Sequence, residues 1–140
     1  TKLGLTPVFR LNGTSDLSWE KYDVDGNGLN IFDTFPNVQF YDYTKVLGRK
    51  VASYKNYHLT FSAADGNELD VQAAIRAGLN VAMVFDRLPD TYMGLPVINA
   101  DDTDLRFLDP KGVICGLKAK GRAKKDTTGF VRKLIPIVSA

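Results

Sequence analysis

The run Val81-Ala82-Met83-Val84-Phe85 is apolar without a break, and a stretch of helical pattern from Glu68 to Ala77 stands directly before it. A half-exposed strand would alternate apolar and polar residues, so an unbroken run of this length suits a strand buried on both faces of a parallel sheet. In the helical stretch, Leu69, Ala73 and Ala77, together with Val71, Ala74 and Ile75, are apolar. Asp70, Gln72 and Arg76 are left for solvent, which is the pattern of an amphipathic helix. Gly78 then supplies a C-terminal stop. Helix followed by buried strand is half of a βαβ unit.

The remaining segments extend that unit. Pro7 to Leu11 reads as a short strand that ends in the turn-rich Asn12-Gly13-Thr14-Ser15-Asp16. Ser15 or Asp16 is placed to cap a helical turn through Leu17 to Glu20. Ile31 to Phe35 reads as one helical turn, and Val38 to Tyr43, rich in aromatic and β-branched residues, as a strand. A short helix is expected from Lys45 to Ala52 and a strand from Tyr57 to Ser62. Leu95 to Asn99 and Gly112 to Lys118 read as two further strands, and Phe130 to Val138 as a last helix or strand interrupted at Pro136. The fold class is therefore α/β: a mostly parallel sheet with helices outside it, either an open doubly wound sheet or part of a (β/α) barrel.

The chain of 140 residues, 44% of them hydrophobic and 24% charged, fits one domain over 1–140 with room for a core. It has no apolar run of the roughly 18 residues that a membrane span needs, and Thr1 to Pro7 does not resemble a secretory signal. The lone Cys115 agrees with a reducing compartment. The absence of an initiator Met suits a processed product or the C-terminal part of a longer protein.

In both architectures ligands bind beyond the C-terminal ends of the strands. The residues expected there are Asn12, Thr14, Ser15 and Asp16; then Asp42, Thr44 and Lys45; then Ser62 and Asp65; then Asp86 and Arg87; then Asp101 to Asp104; then Lys118 and Lys120. Among these, Asp16 and Asp42 are candidate acids or bases and Lys45 or Lys118 a candidate electrostatic stabiliser. Asn12, Thr14 and Thr44 are candidate ligand-binding groups. Polar loops that simply cap and turn would give the same list, so the convergence alone does not name a reaction.

Charge adds a second signal. Asp86 to Asp109 is acidic, whereas from Lys111 to Lys133 eight bases face one acid, a net of +7. Within it, the basic segment 118–133 holds Lys118, Lys120, Arg122, Lys124 and Lys125, the kind of donors that bind phosphate. If Leu117 and Ala119 point inward on a strand, Lys118 and Lys120 share the opposite side. Tyr41, Tyr43, Tyr54 and Tyr57 would add stacking faces for single-stranded nucleic acid.

Metal signals are thin. Asp23-Val24-Asp25-Gly26-Asn27-Gly28 opens like a calcium-binding loop, with Asp23, Asp25 and Asn27 as ligands. The position that should carry a bidentate Glu holds Thr34, however, and a strand rather than a helix follows. An Asp/Gly/Asn surface turn explains the same letters. Asp101, Asp102 and Asp104 suit Mg²⁺ by ligand type only. His58 is the one histidine, and no phosphate loop or dinucleotide fingerprint is present, so no cofactor is identified.

The phrase Phe35-Pro36-Asn37-Val38-Gln39-Phe40-Tyr41-Asp42-Tyr43-Thr44-Lys45 resembles a pattern in bacteriophage proteins of the gene-product-88 type: Pro, a short polar step, an aromatic-rich strand, then Tyr-Thr-Lys. Asn56 to Ser62 and Gly116 to Asp126 are similar to such proteins as well. The resemblance implies a partial barrel and a cysteine-rich N-terminal part that this chain lacks. It also implies a phage origin, a host-cytoplasm setting, and a strand-end location for Asp42, Thr44 and Lys45. It names no substrate. The function expected first is binding of a nucleic acid or nucleotide phosphate at the strand ends. The alternatives are an enzyme with a carboxylate and lysine site on the same face, or a protein that binds a host factor; no membrane partner is expected.

Overall fold

The computed structural model describes residues 7–13, 15–24, 26–120 and 130–132. Among them eight strands form one open sheet. In chain order these are β1 (Val8–Arg10), β2 (Gln39–Thr44), β3 (Tyr57–Ser62), β4 (Asn80–Phe85), β5 (Thr91–Tyr92), β6 (Leu95–Asn99), β7 (Ile114–Lys118) and β8 (Val131–Arg132). The order across the sheet is β1-β2-β3-β4-β7-β6-β5. Every pairing is parallel except the β5–β6 hairpin. β4 is the centre: β7 lies along one edge, and β3 and β8 share the other, β3 ending at Ser62 opposite Ala82 and β8 starting at Val131 opposite Val84.

The unbroken apolar run does sit where both faces are covered. Thr44, Phe61, Val81, Ile114 and Val97 stand at one level on one face. Helix α2 (Glu68–Arg76) packs Val71 and Ala74 onto this face, against Phe61, Val81, Met83 and Phe85. Nearer β1, the one-turn helix α1 (Ile31–Thr34) drives Phe32 into Phe40, Tyr57 and Leu59. Close packing also explains Gly116, since a Cβ there would lie 2.7 Å from Val97 and 2.8 Å from Leu88.

The other face is covered differently from the expectation. Among the described residues no α-helix lies on it; the segment after β6, with a 3-10 turn at Arg106–Leu108, packs over β3 and over Ala82, Val113 and Cys115. Phe107 meets Tyr41 at 5.9 Å between ring centroids. The sheet therefore dominates and helices are few.

Three local expectations need correction. Lys45 to Ala52 forms no helix, because Gly48 adopts φ 74° and the flanking Leu47 and Val51 sink into two different core clusters, which one helical stripe could not serve. Leu69 is 78% exposed, so the row Val71-Ala74-Ile75 alone faces the core. The turn expected from Leu17 to Glu20 is a 3-10 turn at Trp19–Lys21 with Ser18 at its N-cap; Ser15 and Asp16 serve elsewhere. Of the element expected from Phe130 to Val138, Val131–Arg132 is strand β8 and the rest lies outside the described residues. No helix among the described residues is long and apolar enough to cross a membrane.

His58 gives this covered face a pH dependence. Its Nε2 is buried without a hydrogen-bond partner, and burial holds its pKa below the usual imidazole value, with Asp109 pulling it up and Arg106 pushing it down. The unfolded chain then binds a proton more readily than the folded one, so stability is fully present above about pH 6.5 and declines as pH falls below it. Urea titrations at mildly acidic and neutral pH should show that slope, and His58→Asn should flatten it.

Candidate functional site at the strand ends

The last residues of β1, β2 and β3, namely Arg10, Thr44 and Ser62, open onto a cleft of about 420 Å³. Its floor is Tyr43, Ala82 and Leu117, all on the face covered by the segment after β6, and its rim is the loop from Asn12 to Asp16 with Lys45. This is the C-terminal side of the parallel strands, where the strand-end expectation placed a site.

The rim is built by two hydrogen-bonded knots. In the first, Asp16 accepts from the Thr44 hydroxyl at 2.7 Å and from the Lys45 amide at 2.7 Å, which staples the loop after β1 to the end of β2. In the second, buried Asn12 is saturated. Its Oδ1 accepts from Ser15 Oγ, the Leu17 amide and Trp19 Nε1, and its Nδ2 donates to the Leu17 carbonyl. Beneath it, Asp42 accepts from the Asn12 amide at 2.7 Å, from Asn12 Nδ2 at 3.2 Å and from the Tyr57 hydroxyl at 2.6 Å. Tyr57 in turn accepts from Arg49, which closes a bidentate ion pair with Glu20.

Electrostatics follow from these contacts. Burial raises the Asp42 pKa against the opposing pull of Tyr57 and Asn12. Burial and the Asp42 carboxylate both raise that of Tyr57. Burial would raise Glu20 too, but the hydrogen bond and charge of Arg49 hold it below the ordinary carboxylate value. In the cleft itself Arg10 lies over Tyr43, 4.9 Å from the ring centroid. Among the described residues neither Arg10 nor Lys45 makes an ion pair. Asp16, the one acid among the described lining residues, has both oxygens engaged by neutral donors, and against it stand the two cations Arg10 and Lys45, a surplus of one positive charge.

The family model for gene product 88 matches residues 1–134. The chain belongs to the gene product 88 family. The phrase from Phe35 to Lys45 lies within the matched residues, and it builds β2 and the Tyr43, Thr44 and Lys45 side of the cleft. Comparison with curated proteins and with solved structures finds no match.

Among the expected site residues of this gene product 88 protein, Asn12, Asp16, Thr44 and Lys45 come together at the cleft. Asp42 does not line it; it lies fully buried below, holding Asn12. Lys118 ends β7 next to the cleft residue Leu117, and its amide binds Asp101 at 3.0 Å. Lys120 Nζ meets the same carboxylate at 3.1 Å, so Asp101 is held by the backbone of one lysine and the side chain of the other. Thr14, Arg122, Lys124, Lys125 and Asp25 lie outside the described residues. In the calcium-like loop, Asp23 accepts the amides of Gly26 and Gly28, each at 2.8 Å, as a polar surface turn does. Near Asn27 and elsewhere among the described residues, no three His, Cys, Asp or Glu side chains gather as a metal site would require. Cys115 is wholly buried, and burial together with Asp109 pushes its thiol up to about 12, far from a reactive thiolate.

Arg10 was not among the expected residues. It sits inside an apolar-looking run, and only the alternation Val8, Arg10 along β1 puts it on the cleft side, in register with Tyr41.

Proposed function

We propose that the strand-end cleft holds a phosphate-bearing ligand, a nucleotide or a stretch of nucleic acid. The observation that carries this reading is the charge balance of the cleft: Arg10 and Lys45 line it without ion pairs among the described residues, while Asp16 is committed to Thr44 and the Lys45 amide. An Arg fork is suited to phosphate oxygens. The cleft volume of about 420 Å³ falls within the range usual for small-ligand sites. Leu117 lines the cleft and Lys118, the first base of the basic segment read from the sequence, follows it at the end of β7. Family membership supports a bacteriophage origin and, with it, action in the host cytoplasm.

A fluorescent single-stranded oligonucleotide tests the reading. Affinity is expected to fall steeply between low and moderate salt as counterions are released. Arg10→Ala with Lys45→Ala should weaken binding and lower the salt slope by about 1 for each phosphate contact removed. Lys118→Ala, Lys120→Ala and Arg122→Ala together should weaken longer oligonucleotides more than mononucleotides. Absence of binding at low salt would defeat the proposal.

A further inference from the structure

At the opposite pole of the sheet, beside the N-terminal ends of β2 and β3, lies a second cavity of about 540 Å³. Its chemistry is unlike that of the strand-end cleft. Its polar lining is mostly neutral, with the side-chain amides of Asn37, Gln39 and Asn56 and the Ser53 hydroxyl; the charged Asp33 and Lys55 offset one another. Its aromatic wall is Tyr54, packed on Phe32 with 5.3 Å between ring centroids.

The cavity is held open by hydrogen bonds rather than left to chance. Asn56 Nδ2 donates to the carbonyls of Phe32 and Phe35, at 3.2 and 3.1 Å, bracing the chain around α1 against the start of β3. Gln39 Nε2 donates to the Phe40 carbonyl at 2.9 Å. Tyr54 accepts from Asn30 at 2.8 Å, which fixes its ring. Asn56 spends both of its N–H donors on backbone and is left with its carbonyl oxygen, whereas Gln39 spends one of two and keeps a donor as well as its carbonyl acceptor.

Neutral amide and hydroxyl groups that accept and donate, beside an aromatic wall and with no net charge, complement a ligand that brings several hydroxyls and an apolar ring face. We infer that this second cavity binds a neutral sugar ring. The ring could belong to a free saccharide or to the ribose of a nucleoside. The site does not depend on the strand-end cleft.

The test is a titration of the full ¹⁵N-labelled chain, followed by amide chemical shifts, with N-acetylglucosamine and maltose in one arm and adenosine in the other. Saturable shifts confined to Asn37, Gln39 and Ser53 to Asn56 are the expected result, and the arm that produces them identifies the source of the ring. Gln39→Ala, which leaves the core intact, should weaken that binding at least roughly tenfold, as Tyr54→Ala should; thermal melts establish that each variant is folded. Adenosine monophosphate serves as the contrast, because phosphate-dependent shifts at Asn12 to Asp16 and Lys45 report the other cleft. No shift in the second cavity with either ligand at tens of millimolar, or shifts there that require the phosphate, would overturn the inference.

Discussion

Asp42→Ala is expected to lower the stability of the chain by about 3–5 kcal/mol, read as a fall in the urea midpoint. The carboxylate is fully buried and satisfies three donors: the Asn12 amide, Asn12 Nδ2 and the Tyr57 hydroxyl. Truncation strands all three in a site closed to water. Each unsatisfied buried group costs about 1–3 kcal/mol, partly relieved by relaxation. The damage should also travel. Asn12 is the hub of the loop that rims the strand-end cleft, so amide exchange from Gly13 to Trp19 should accelerate more than exchange in α2. Asp42→Asn keeps one acceptor and should cost less. A variant as stable as the parent would mean that the Asn12 loop is held by other contacts.

Asp109→Ala is expected to cost a similar 3–5 kcal/mol, for a different reason. Arg106 is 1% exposed and its Nε lies 3.4 Å from the Asp109 carboxylate. Its Nη2 donates to the Thr103 carbonyl, whereas Nε and Nη1 have no hydrogen bond. Removing Asp109 would leave a buried guanidinium without its counter-charge and would free the Cys115 thiol that donates to the same carboxylate at 3.3 Å. Replacing both partners, Arg106→Met with Asp109→Leu, should recover most of the loss, because the pair's desolvation cost disappears with it. A double-mutant cycle separates these cases: a large positive coupling is expected, and simple additivity would show that the two charges do not depend on each other.

The two predictions lie on opposite faces of the sheet, and they differ in how far the sequence announced them. Asp42 stands between Tyr41 and Tyr43 in an aromatic strand, and a carboxylate in such company signals something held in place. The sequence pattern put it beside a site; the structure puts it beneath one, as the support of Asn12. Strands β2 and β3, helix α2 and strand β6 were legible because their periodicity or their β-branched and aromatic content is local information. Arg106 was not legible. In sequence it is one charge in an acidic surface-like stretch, and its burial follows from the segment after β6 folding back over β3, a long-range event that no window of residues encodes. The irregular path from Lys45 to Ala52 failed for the same reason: Leu47 and Val51 serve two distant clusters, and tertiary packing overrode local propensity. At the cleft, Asp16, Thr44 and Lys45 were found because polar residues after a buried strand mark its end, while Arg10 was concealed by lying one residue inside.

The sharing of one β4 edge by β3 and β8 has a kinetic consequence. Val84 and Phe85 have no partner on that side until Val131 and Arg132 arrive, nearly fifty residues later in the chain. Arg132 then locks in place through its ion pair with Glu68 at the start of α2 and through its carbonyl, which accepts from the Asp86 amide at 3.2 Å. On a ribosome, the middle of this sheet would emerge with part of the β4 edge unpaired, and its completion would wait on β8. Contacts this distant in sequence favour slow folding, and they make the docking of β8, rather than of the earlier strands, the step that completes the edge of β4.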